Sequence, residues 1–330
     1  MVIFMPFSRR QMILGLSATA AFAPSLAPFS ARAQSAAAQP AAAPSVVPSK
    51  PVSEAPFPTP EVPPLEATDY SEARKHFRTN LLHKGPSPEA APPLGTPLGA
   101  TRVTYPGGPD RSLPLVGWVS HYEPSAALKP AVLFLHGGNA TGDGHWEQIK
   151  AYGEAGFVTM LPSFRGENGQ AGNYSGFYDE TADALAAADY LENLPGVDKN
   201  RFFIAGHSNG GTLALLAAMT RRFKAAAPMS AGVDAWRYFG RYEKEIRFDW
   251  DDPREFIMRS SVCFAPSLKC PTLLLRGSEE RPFDKNHLLF IDRAVAGGVS
   301  IDKKILPGTH NGVVPGAVAE SIRFFKAHGA

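Results

Sequence analysis

The chain has 330 residues, of which 44% are hydrophobic, and a formal net charge of +2. This near-neutral charge argues against nucleic acid or an acidic membrane surface as the main partner. HExxH, HxH and spaced Cys/His motifs are all missing from the sequence, so it predicts neither a metal nor a cofactor.

Residues 1–33 have the pattern of a twin-arginine export signal. Arg9 and Arg10 precede a modest apolar stretch, and Ala31-Arg32-Ala33 offers a small-x-small cleavage site before Gln34. The apolar part is short and contains two prolines, which disfavours a stable membrane anchor. We expect an exported, periplasmic or secreted bacterial protein whose partner in transit is the twin-arginine machinery. The alternative is an uncleaved amphipathic tail.

Two further regions follow the leader. Residues 34–64 are rich in Ala, Pro and Ser and bury little apolar surface, which predicts a disordered spacer. Residues 65–330 are long enough for one large domain with a sizeable core. Cys263 and Cys270 lie seven residues apart. In an oxidising compartment they could form a disulfide, and they could equally be reduced, buried thiols.

The predicted elements of the domain begin with a helix over residues 69–84 and a hairpin built from TRVTY and LPLVGWVSHY. The apolar strand AVLFLHGGN starts at Ala131, and helices and strands then alternate. This alternation predicts an α/β fold with a doubly wound, mostly parallel sheet and helices on both faces. An aromatic and charged segment, residues 234–267, interrupts the alternation and is predicted to be a small cap or insertion. Its aromatic side chains could line a pocket or pack the cap on the sheet.

The pentapeptide Gly206-His207-Ser208-Asn209-Gly210 stands between an apolar strand and an apolar helix. It fits G-x-S-x-G, in which glycines leave room for a sharp strand-to-helix turn and the serine becomes an exposed nucleophile. A glycine-rich turn that caps the helix would be the alternative. The backbone N–H of Asn209 is the expected first oxyanion donor, and Gly138 or Asn139 should supply the second.

A serine nucleophile needs a base, and the base needs an acid that orients it. On this kind of fold the chain order is serine, acid, histidine. His310 is the histidine in a glycine-rich loop after the last predicted strand, and acids follow the strand PTLLLRG. All three positions follow the carboxyl ends of strands, where open α/β sheets place their sites.

From about Leu113 onward the chain resembles an α/β-hydrolase of the prolyl-oligopeptidase (S9-like) catalytic-domain group. The matching segments are FLHGG, PSFRGENG, VDKNRFFIAGHSNGG, KCPTLLLRGSEE and LPGTHNG. The resemblance implies an acid three residues after Gly277. That residue is Glu280, where the family usually has Asp, and Asp284 is the alternative. The resemblance also implies that Arg165 forms a buried ion pair. Ser208 distinguishes the chain from dienelactone hydrolases, which carry a cysteine there.

These features predict a serine hydrolase that works through an acyl-enzyme on a small ester or a short peptide. Prolyl oligopeptidases carry a large propeller domain, and only about 65 residues separate the leader from the first predicted strand. We therefore expect a carboxylic ester hydrolase, with a short-peptide peptidase as the alternative. A non-catalytic binding protein on the same fold is the remote alternative.

Overall fold

The computed structural model describes residues 57–124 and 127–330. The predicted leader and residues 34–56 of the predicted spacer lie outside this part of the chain. The strands are β1 (Ala100–Gly107), β2 (Leu113–Ser120), β3 (Lys129–Leu135), β4 (Val158–Pro162), β5 (Val197–His207), β6 (Ala226–Met229), β7 (Thr272–Gly277) and β8 (Ile301–Leu306). The α-helices are α1 (Tyr70–His76), α2 (Asp143–Glu154), α3 (Tyr178–Glu192), α4 (Asn209–Thr220), α5 (Ala235–Arg241), α6 (Pro253–Ile257), α7 (Lys285–Ala296) and α8 (Val314–Ala327).

The eight strands form one sheet in the order β1-β2-β4-β3-β5-β6-β7-β8. The first two strands form the predicted hairpin, and β2 joins β4 in antiparallel pairing. All pairs from β4 through β3 to β8 are parallel. The carboxyl ends of six strands therefore meet at one edge, and the predicted doubly wound, mostly parallel α/β sheet is confirmed.

Alternate side chains of the central strands enter two separate cores. In β5, Phe202 and Ile204 join the core on the face covered by α3, α4 and α7. Phe203 and Ala205 point to the other face, where α2 and α8 pack. A parallel strand that is covered on both faces is apolar where it is buried, and this explains why residues 202–205 of β5 show no polar alternation.

The helix predicted over residues 69–84 is shorter in the structure. Helix α1 ends at His76, and Phe77 already has an extended backbone. Phe77 is buried and packs edge-on against Tyr178 at 5.2 Å between ring centroids, while Leu81 forms a β-bridge with Phe248. These contacts to distant parts of the chain outweigh the local helical preference, and a single sequence does not reveal them.

The end of the predicted spacer also differs from the expectation. Phe57 is buried, with its ring 4.6 Å from that of Phe256. Arg293 donates hydrogen bonds to the carbonyl oxygens of Pro63 and Pro64 at 2.8 and 3.1 Å. Residues 57–64 are thus packed on the domain, because the burial of Phe57 and the hydrogen bonds from Arg293 offset the entropy lost on ordering this proline-rich segment.

The segment predicted as a cap lies between β6 and β7 and contains α5, α6 and two short 3₁₀ helices. Trp236 and Phe239 are buried in the same core as α4, and Trp236 stacks on Phe256 at 5.3 Å. Tyr238 and Tyr242 instead line a cavity of about 140 Å³. The aromatic residues of this segment therefore divide between packing and lining a cavity.

Two further sequence features have clear outcomes. Cys263 and Cys270 are both buried free thiols, so the disulfide alternative does not hold. Among the residues that the structure describes, no helix has the length and apolar character needed to cross a membrane.

Candidate active site

Ser208 lies on a strained turn between β5 and α4. Its backbone dihedrals are φ 53° and ψ −116°, a conformation that non-glycine residues rarely adopt. The Ser208 N–H donates to the carbonyl oxygen of Met229 at 2.8 Å, which ties the turn to the next strand. The turn raises the serine side chain above the carboxyl edge of the sheet, directly at the amino end of α4.

The flanking glycines of the turn are required by close backbone contacts. A Cβ atom at Gly206 would lie 2.3 Å from the carbonyl oxygen of Gly210. One at Gly210 would lie 2.1 Å from the carbonyl oxygen of Leu135. Strand and helix can close to this distance only without side chains, which is the physical reason for glycine at both positions.

His310 and Glu280 meet at the same edge. His310 follows β8 and Glu280 follows β7, and the His310 Nδ1–H donates to Glu280 Oε2 at 2.7 Å. With the proton on Nδ1, Nε2 of His310 is the nitrogen left to accept one. The Ser208 hydroxyl has no hydrogen-bond partner among the described residues. Hydrogen bonds between a catalytic serine and its base are often long in structures without substrate.

The Glu280 carboxylate is almost enclosed, with only 6% of its side chain exposed. Burial alone would raise its pKa. The hydrogen bonds from His310, Ser230 and the Gly277 N–H outweigh burial and lower the pKa to about 2. Glu280 is therefore ionised at neutral pH and able to stabilise a positively charged imidazole.

Asp284, the alternative acid, lies elsewhere. It caps the amino end of α7, where its side chain accepts from the backbone of Asn286 and His287. It also accepts from His287 Nδ1 at 2.8 Å and pairs with Arg237 at 2.9 Å. No hydrogen bond joins it to His310 within the described residues. The structure brings Glu280, and not Asp284, to His310.

The predicted oxyanion donors are not equivalent. The Asn139 N–H already donates to Glu89 Oε2 at 2.9 Å. For the N–H groups of Gly138 and Asn209, no acceptor occurs in the described part of the chain. The Asn209 side chain donates to the Gly138 carbonyl oxygen at 3.2 Å and to Asn139 Oδ1 at 3.0 Å. These bonds fix the loop to the strand-to-helix turn of residues 206–210, called the elbow below. Gly138 and Asn209 thus remain as free donors.

Two buried ion pairs support this edge. His136 Nε2 donates to Glu167 Oε2 at 3.0 Å; burial would lower the pKa of His136, but the carboxylate beside it raises the pKa. Arg165 makes two hydrogen bonds to Asp183 at 2.8 and 2.7 Å. The predicted ion pair of Arg165 is present, and the histidine after β3 holds the loop that carries Gly138.

Ser230, which lies directly after β6, is a further residue of the site that was not predicted from the sequence. Its hydroxyl donates to Glu280 Oε1 at 2.6 Å, and its φ is 50°. The available signal was its position at the carboxyl end of a predicted strand, the same edge as the other site residues. The described residues contain no group of three or more His, Cys, Asp or Glu side chains that could hold a metal ion.

The arrangement at this edge of the sheet makes the protein a serine hydrolase with the α/β-hydrolase fold. Residues 145–317, more than half of the chain, match the prolyl oligopeptidase family, and the chain belongs to that family. A curated relative, the uncharacterized peptidase YtmA of Bacillus subtilis (strain 168), is 26% identical over 177 residues. That match covers 48% of this chain and 66% of the relative, slightly under two thirds.

Several solved structures share the fold. Dipeptidyl peptidase 4 of Porphyromonas gingivalis has a TM-score of 0.56 at 22% identity, over 69% of this chain and 35% of its own. An acylaminoacyl peptidase of Pyrococcus horikoshii has a TM-score of 0.56 at 19% identity, over 69% of this chain and 40% of its own. An esterase of Pyrobaculum calidifontis has a TM-score of 0.56 at 19% identity, over 70% of this chain and 85% of its own. The likeness at these identities concerns the fold.

Proposed function

We propose that Ser208, His310 and Glu280 form a catalytic triad that hydrolyses short peptides through an acyl-enzyme. The observation that carries this proposal is the 2.7 Å hydrogen bond from His310 Nδ1 to the buried Glu280 carboxylate, at the sheet edge where Ser208 lies. It leaves Nε2 of His310 as the free base. Catalysis by a serine nucleophile needs a base close to the serine and an ionised acid that is hydrogen-bonded to this base.

In the first half of the reaction, Ser208 Oγ attacks the substrate carbonyl carbon while Nε2 of His310 takes the hydroxyl proton. The negative charge of Glu280 stabilises the imidazolium that results. The carbonyl oxygen becomes an oxyanion and accepts hydrogen bonds from the N–H groups of Gly138 and Asn209, each of which contributes about 3 kcal/mol to such transition states. His310 then protonates the leaving amine, and the acyl group remains on Ser208.

In the second half, a water molecule attacks the acyl carbon and His310 takes its proton. The tetrahedral intermediate collapses, His310 returns the proton to Ser208, and the carboxylic acid leaves. The amino end of α4 points at the reacting oxygen throughout, since Asn209 is its first residue. A helix amino terminus favours negative charge at this place.

The choice of a peptide bond rests on relatives. The matching family takes its name from an oligopeptidase, and the Bacillus subtilis relative is described as a peptidase. An ester substrate is the second candidate, because the Pyrobaculum calidifontis esterase shares this fold over 85% of its own chain. The same triad serves both reactions, and the leaving group decides between them.

The test uses matched p-nitrophenyl esters and aminoacyl p-nitroanilides with the same acyl group, and Ser208→Ala as the control. We expect anilide cleavage at an efficiency comparable to ester cleavage, both abolished by the substitution. Ester cleavage without anilide cleavage would assign the protein as an esterase. Failure of Ser208 to react with a fluorophosphonate probe would instead favour a non-catalytic binding protein.

We also propose that the protein is exported through the twin-arginine machinery. The support is the sequence of residues 1–33 with its paired arginines. Expression in a bacterium followed by fractionation should give periplasmic or secreted protein that begins at Gln34. Replacement of both Arg9 and Arg10 by lysine should keep the protein in the cytoplasm, and unchanged export of that variant would reject the proposal.

A further inference from the structure

The acid of this site is a glutamate, and its carboxylate is fixed at both oxygens. Oε2 accepts from His310, whereas Oε1 accepts from the Ser230 hydroxyl at 2.6 Å and the Gly277 N–H at 2.7 Å. Glutamate has one more rotatable bond than aspartate, so fixing its carboxylate in one orientation costs more conformational entropy. The hydrogen bonds to Oε1 select the one in which Oε2 faces the imidazole.

Ser230 is itself fixed by the backbone. Its N–H donates to the Leu275 carbonyl oxygen at 2.7 Å, which ties it to β7, the strand that leads into the loop of Glu280. Its side chain is buried and its φ of 50° lies in the left-handed region. Glycine would adopt this backbone more easily than serine. The presence of serine is explained by the hydroxyl that it presents to Glu280.

Among the described residues, no other side chain donates a hydrogen bond to Oε1 of Glu280. Arg276 approaches the carboxylate, but its Nε lies 3.8 Å from Oε2, on the side of the histidine. The Gly277 N–H holds Oε1 from the strand end only. Ser230 is the side-chain donor that reaches Oε1 from the neighbouring strand.

We propose that Ser230 is a positioning residue for catalysis, whose hydroxyl holds Glu280 in the orientation that serves His310. This inference rests on the proposed triad and deepens it. It explains how the longer side chain of a glutamate can serve as the acid of this triad. The residue acts through Glu280 and does not itself touch the substrate.

The test compares Ser230→Gly with Ser230→Ala by steady-state kinetics on the p-nitrophenyl ester and by thermal unfolding. Both remove the hydroxyl, and both should lower kcat by roughly 10- to 100-fold with little change in KM. Ser230→Gly relieves the backbone and should melt at or above the temperature of Ser230→Ala. A stable Ser230→Gly protein with the kcat of the unsubstituted protein would overturn the proposal.

A double-mutant cycle with Glu280→Gln gives the second readout. If Ser230 acts through Glu280, then Ser230→Ala should lower kcat little further in a protein that already carries Glu280→Gln. Losses that multiply in the double variant would show that Ser230 acts by another route and would reject the inference. The proposed triad has its own control, because activity that survives Ser208→Ala would reject the triad whatever Ser230 does.

Discussion

The Nε2–H of His207 donates a hydrogen bond to the backbone carbonyl oxygen of His310 at 2.8 Å, and the two rings lie 4.8 Å apart. The residue before the elbow serine therefore holds the loop that carries the proposed base. Burial, with a smaller effect of His310, lowers the pKa of His207 to about 4. His207 is consequently neutral at pH 7 and remains a fixed support while His310 exchanges protons.

The buried His207 should make the folded protein sensitive to mild acid. Its contribution to stability is complete above the ordinary pKa of 6.5, and is lost as the pH falls from 6.5 towards about 4, because only the unfolded chain takes up the proton in that range. The loss amounts to about 3 kcal/mol. His207→Gln keeps a donor but does not titrate. Urea unfolding at pH 7 and pH 4.5 should show a smaller fall for this variant, and an identical fall would contradict the assignment.

The two acids after β7 should differ sharply in their effect on activity. Glu280→Gln should lower kcat by about 10³-fold or more, because the amide cannot stabilise the imidazolium. Asp284→Asn should leave kcat within about threefold, since Asp284 bonds to His287 and Arg237. Steady-state kinetics on one ester substrate would measure both. Loss of activity in Asp284→Asn, with Glu280→Gln unimpaired, would show that the acid is misassigned.

The elbow should not tolerate a methyl group. In Gly210→Ala the new carbon would overlap the carbonyl oxygens of Leu135 and His136 at 2.1 and 2.4 Å, so the helix must move off the sheet. We expect a destabilisation of at least about 3 kcal/mol, measured by urea unfolding.

Gly316→Ala is the matched control for this substitution. A Cβ there has no heavy atom within 4 Å, and the residue lies in α8. That variant should be as stable as the original protein or more stable by up to about 1 kcal/mol. Equal stability of the two variants would mean that the elbow is less tightly packed than described.

Cys263 and Cys270 should behave as protected thiols. Burial raises the pKa of both, for Cys270 to about 12, so neither forms the reactive thiolate at neutral pH. A thiol reagent should find almost no reactive groups in the native protein and two in guanidinium chloride. A count of zero in denaturant, restored by reduction, would show that the two cysteines are bridged.

The strongest local patterns determined the fold class and the elements of the site. Continuous apolar strands alternating with helical segments predict a parallel sheet, because a strand covered on both faces cannot be polar at any position. Glycines around Ser208 and around His310 mark turns at strand ends, and parallel strands bring these ends to one edge. The proposed nucleophile and the proposed base could therefore be chosen from chain order and spacing.

Tertiary structure alone decided which groups meet. The sequence left Asp284 open as an alternative to Glu280, and it is the course of the loop after β7 that turns Glu280 to His310 and Asp284 to His287. Residues 77–84 have helical character, yet contacts with residues about 170 positions away pull them into an extended path. Such contacts connect residues far apart in the chain, so no local pattern encodes them. The support that Ser230 gives to Glu280 was hidden for the same reason.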